Sequence, residues 1–118
     1  MSTILRTFVL ASVLSLPAIC FATDVGQVVQ LQAKDCDTLA NIVLNTQLQR
    51  QAGKSKDSTL AEIKGLTTIN DKVKEVALNM LPGMYNQVPV EVDGQEIGST
   101  VWTNCRLAHG EYTMTEVE

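Results

Sequence analysis

Asp35-Cys36-Asp37-Thr38-Leu39-Ala40-Asn41-Ile42-Val43-Leu44-Asn45-Thr46-Gln47-Leu48-Gln49-Arg50-Gln51-Ala52-Gly53 is the stretch on which the fold turns. Cys36, Leu39, Ala40, Val43, Leu44 and Leu48 each stand three or four residues from another of the set, the spacing of one helix face. Asp35 suits the N-cap, and Asp37 places negative charge where the helix dipole favours it. Gly53, after Arg50-Gln51-Ala52, suits the left-handed position just past a helix end. The stretch predicts a central helix with a cysteine in its first turn.

Upstream of it, Arg6 and a short apolar core at residues 8–16 precede Pro17 and the small-residue site Cys20-Phe21-Ala22. This is the pattern of an export signal over residues 1–22. An N-terminal membrane anchor is the rival reading, opposed by the shortness of the apolar run. A lipid-modified Cys20 is opposed by Pro17 and Ile19. Cleavage after Ala22 leaves Cys36 and Cys105, and two cysteines in a small exported chain most simply pair. Two free thiols are the alternative. Closing a loop of about 70 residues contributes on the order of 4 kcal/mol in the chain-entropy model.

Residues 23–34 read as an N-terminal arm, with a short helix on Val25, Val28 and Val29 as the other possibility. Residues 35–108 form the expected helical domain and residues 109–118 a loose acidic tail. A capping-box sequence, Thr59-Leu60-Ala61-Glu62, marks a second, short helix with Ser58 or Asp57 as other caps, ending at Gly65. Asn70-Asp71 opens a third, carrying Val73, Val76, Ala77, Met80, Leu81 and Met84 on one face, with Pro82-Gly83 expected to end or kink it. Residues 88–101 admit two readings. Val88-Pro89-Val90-Glu91-Val92 with Asp93-Gly94 suggests a β-hairpin. Ile97, Val101, Cys105 and Ala108 suggest a helix over residues 95–107, which the spacing favours although Gly98 weakens it. The fold class expected is all-α, about four short helices closed by Cys36–Cys105.

Composition narrows the function. The net charge of −4 and 4% aromatic content give neither the basic footprint nor the stacking platform that nucleic acids require. His109, the one histidine, with Glu111 is too few ligands for a metal site. Asp35, Asp37 and Asp57 lack the calcium-loop pattern. Gly53-Lys54-Ser55 lacks the earlier glycine of a phosphate loop. No catalytic residue, cofactor site or metal site is expected. Met80, Leu81, Met84 and Tyr85 read as core before they read as an adaptable binding surface. Gln47, Gln49 and Gln51 read as a solvated polar side of the central helix.

The chain resembles small exported proteobacterial proteins of unknown function. They share a cysteine opening a helix, Arg-x-x-Gly at its end, a Ser-started short helix, a Tyr-Pro pair after the third helix and an aromatic near a final cysteine. The matching residues are Cys36, Arg50 with Gly53, Ser55 or Ser58, Tyr85 with Pro89, and Trp102 with Cys105. The resemblance implies a disulfide-tied helical domain and brings no activity with it. Two functional classes remain. One is a non-enzymatic periplasmic or secreted protein that binds or inhibits a protein partner. The other is an enzyme or redox carrier acting through Cys36 and Cys105.

Overall fold

The structure, a computed structural model, describes residues 25–116. The export segment, Cys20 and the Ala22 cleavage site lie outside the described residues. Four helices carry the fold: α1 (Ala33–Gln51), α2 (Lys56–Lys64), α3 (Asp71–Gln87) and α4 (Gly94–Leu107). They are flanked by two short strands, β1 (Val28–Gln30) and β2 (Glu111–Thr113), paired antiparallel with Val29 opposite Tyr112.

The central helix begins two residues earlier than its sequence suggests. Gln32 is the N-cap, and Asp35, expected there, sits inside the first turn. Its Oδ2 accepts from the Gln32 backbone N–H at 2.9 Å, and its Oδ1 accepts from Asn70 Nδ2 at 2.8 Å. Asn70 in turn caps α3, accepting from the Val73 N–H at 2.9 Å. One buried carboxylate therefore ties two helix starts together. At the other end Gly53 takes φ +97° just beyond the Ala52 C-cap, as the sequence indicates.

Cys36, Leu39 and Val43 are buried as expected and join Ile63, Val73, Val76, Ala77, Leu81 and Met84 in one core. Leu48 departs from the pattern and stays 50% exposed. The reason lies in α4, whose first residue, Gly94, already sits against Leu44. One turn further on, α1 has outrun its partner helix.

Residues 88–101 contain no hairpin. Asp93 caps α4 through its side chain, accepting from the Gln95 N–H at 3.2 Å, and the helix runs to Leu107. Gly98 has a purpose that its propensity hides. A Cβ there would stand 3.2 Å from the Ala40 carbonyl oxygen, and one on Gly94 3.1 Å from that of Leu44. The two glycines, four apart, let α4 lie almost on the backbone of α1.

Pro82 does not end α3, which continues to Gln87. Proline inside a helix costs about 3 kcal/mol. Here Pro82 is itself buried between Leu81 and Met84, and that burial offsets the lost backbone bond. In α2 the cap is Ser55, accepting from the Ser58 N–H at 3.2 Å, and not Thr59, Ser58 or Asp57, all of which lie inside the helix.

The sequence reads residues 23–34 as an arm or a short helix and residues 109–118 as a loose tail; Val28 and Val29 instead lie in a strand. The inner parts of both segments form the ribbon. Asn79 on α3 anchors it: its Oδ1 accepts from Tyr112 Oη at 2.8 Å and from the Thr115 N–H at 3.0 Å. Its Nδ2 donates to the Thr115 carbonyl at 2.9 Å. Met114 is buried behind the strand. The tail is acidic, but its few apolar and hydroxyl side chains suffice to dock it.

Candidate functional site

The two cysteines singled out by the sequence meet: Cys36 and Cys105 form a disulfide across 69 residues, with Cα atoms 5.7 Å apart. Cys36 is fully buried. The bond joins the first turn of α1 to the last turns of α4, immediately inside the ribbon.

Beside it lies an apolar cavity, partly open to solvent and about 250 Å³ in volume. Leu31 and Leu39, Met80 of α3, Val101 and Cys105 of α4 and its C-cap Ala108 line it. Glu111 and Tyr112 of the ribbon line it as well. Ala108, expected to face inward with Ile97, Val101 and Cys105, is instead exposed, because it is the C-cap of α4 and lies past the last helical turn. Gly110 allows the chain entering β2 to pass against the Leu31 backbone. It takes φ +79°, and a side chain there would overlap the Leu31 carbonyl. Burial pushes the Tyr112 phenol above its usual value of 10, partly offset by the Thr115 hydroxyl.

His109 and Glu111 do not converge. His109 lines a separate, more polar groove with Ala33, Cys36 and Arg106, whereas Glu111 lines the apolar cavity. Among the described residues no group of three or more His, Cys, Asp or Glu side chains is placed to hold a metal ion. Asp35 and Asp37 are engaged separately, the latter accepting from Trp102 Nε1 at 2.6 Å. Lys54 and Ser55 pack the start of α2, where Lys54 pairs with Glu62 at 2.8 Å and holds the Glu62 carboxyl below its usual 4.5. Of Met80, Leu81, Met84 and Tyr85, only Met80 reaches the cavity; Leu81 and Met84 are core, and Tyr85 donates from Oη to the Lys54 carbonyl at 3.1 Å.

The residues that sequence reasoning misplaced are at the far end of α1. Gln47, read as solvated, is fully buried. Its Nε2 sits among the carbonyls of Val92 (2.9 Å), Val90 (3.1 Å) and Pro89 (3.4 Å). Gln51 Nε2 donates to the carbonyls of Val90 and Val92, both at 3.0 Å. Arg50 donates to the carbonyls of Val88 (2.6 Å), Met84 (3.1 Å) and Tyr85 (3.2 Å), and its guanidinium lies 5.2 Å from the Tyr85 ring centre. The Met84 carbonyl also accepts from the Val88 N–H, whereas that of Tyr85 stands four residues before Pro89, which has no N–H to give, so Arg50 caps a helix other than its own. The signal in the sequence was Arg50 itself, at the end of an apolar face and three residues before Gly53.

Comparison of the chain with protein-family models, with curated proteins and with solved structures returns no match.

Proposed function

We propose that this is an exported, non-enzymatic binding protein that takes one large apolar side chain of a protein partner into the cavity beneath the ribbon. The observation that carries the reading is the cavity's size and lining. Sites for drug-sized ligands and cofactors run from about 300 to 1,000 Å³. An apolar cavity of about 150 Å³ holds a benzene ring. A space of about 250 Å³ with leucine, methionine and valine walls therefore suits a single large side chain. The disulfide supports an oxidising compartment, as does the signal-like pattern of residues 1–22. No helix among the described residues is long and apolar enough to cross a membrane.

Titration of the oxidised protein with toluene, followed by methyl NMR, tests the binding role. Shifts confined to Leu31, Leu39, Met80 and Val101 are expected, and Val101→Trp should abolish them by filling the space. Saturating toluene without a shift at these methyls would remove the reading. Export is tested by the N-terminus of protein recovered from the periplasm of a Gram-negative host, which should begin at Thr23. Recovery with Met1 intact would refute it.

A further inference from the structure

We propose that the cavity selects a partner segment whose large apolar side chain stands next to a lysine or arginine, and that Glu111 is the residue that selects it. The inference rests on the binding role just proposed and adds the charge of what binds.

The geometry is one-sided. Glu111 is the one charged residue among those lining the cavity. It sits in β2 opposite Gln30, but the Gln30 amide is already committed, donating to the carbonyls of His109 at 2.7 Å and Leu31 at 3.0 Å. Among the described residues, the Glu111 carboxylate takes no hydrogen bond or ion pair. The nearest cations in sequence are turned elsewhere. Arg106 stacks over the Trp102 ring at 5.3 Å, and both Arg106 and His109 line the separate polar groove beside Cys36. The edge of the pocket thus carries an exposed glutamate, with Asn104 also lining it beside apolar residues. An apolar group bearing a cation satisfies both parts at once; one bearing a carboxylate would set two like charges against each other. The chain as a whole carries net charge −4, so its long-range field draws the same kind of partner.

Three probes with nearly the same apolar body separate charge from shape: benzylamine, benzyl alcohol and benzoate, each titrated into the oxidised protein at pH 7 and low ionic strength. Methyl shifts at Leu39, Met80 and Val101 report occupancy. Benzylamine should bind about two- to fivefold more tightly than benzyl alcohol, the range an accessible ion pair supplies, and benzoate most weakly. The preference should shrink with added salt and vanish in Glu111→Gln. In Glu111→Lys it should invert toward benzoate. Equal affinity for amine and alcohol, or a preference that survives in Glu111→Gln, overturns the selection while leaving the cavity as a binding site. Failure of all three probes to shift these methyls overturns both proposals.

Discussion

The two ends of α1 are held in different ways. At the Ala33 end the tie is covalent and apolar: the Cys36–Cys105 bond, the leucines under the ribbon, and a buried carboxylate that joins two helix starts. At the Gln51 end it is polar and has no covalent part. Gln47, Arg50 and Gln51 reach across to main-chain carbonyls at the end of α3 and in the connection that follows. A regular helix or strand satisfies its own carbonyls, so an irregular segment such as residues 88–93 needs donors from elsewhere. The comparison teaches that the connection between α3 and α4 has an enforced shape although it has no regular structure. That shape delivers Gly94 and Gly98 to the backbone of α1.

Breaking the covalent end should have the largest effect. Cys36→Ser is expected to cost about 2–5 kcal/mol and lower the melting temperature by about 10 °C or more. A variant that melts like the parent would mean that helix packing alone holds this end. At the other end, Arg50→Met keeps the apolar stem but takes the donor from the Tyr85 and Val88 carbonyls, with an expected loss of about 2–3 kcal/mol by denaturant unfolding. If that loss equals or exceeds the loss in Cys36→Ser, the ranking of the two ends is reversed. Between them lies the helix seam. Gly98→Ala gains helix propensity but presses on the Ala40 carbonyl and Leu44, and about 1 kcal/mol of net destabilisation is expected. A higher melting point would show that α4 can step back.

Two titrations sharpen the same contrast with smaller effects. Tyr112 has a raised pKa, so its contribution is fully present below the unfolded value near 10 and is lost as pH rises through the folded one. Phenolate absorbance should therefore appear above pH 10, with ribbon amides losing exchange protection in the same range; an ordinary titration midpoint would contradict this. Glu62 behaves oppositely. Its pKa is lowered by Lys54, so its contribution is present above the unfolded value and lost as pH falls through the folded one. The pair is solvent-exposed, and Glu62→Gln should leave the melting temperature at pH 7 within error. A clear drop would assign α2 a tie that its surface position does not suggest.

The covalent end was the more legible in the sequence, and for a physical reason. Cysteine pairing and three-and-four apolar spacing are local patterns, so α1, α3 and the disulfide followed from them, and Ile97, Val101 and Cys105 favoured helix over hairpin. The ribbon was hidden because its strands are three residues each and stand some 80 residues apart, with no alternation in Val28-Val29-Gln30 to mark them. Gln47 was hidden because its burial depends on carbonyls in a segment without periodicity. Gly98 was misread because propensity weighs a glycine alone, whereas Gly94 and Gly98 act together against a neighbour. The cavity follows from the ribbon, and only Met80 among the residues singled out for binding belongs to it.

The place of the disulfide also governs how the molecule bears tension. Both described ends leave through the ribbon on the same side, so a pull on them opens β1 from β2 one hydrogen bond at a time, like a zipper. The load then reaches Cys36 and Cys105 and stops at the sulfur–sulfur bond. The 69-residue span between them never enters the force path, and its helices stay folded while the ends are stretched. Reduction removes the stop and releases about 240 Å of slack, at about 3.5 Å per residue over those 69 positions.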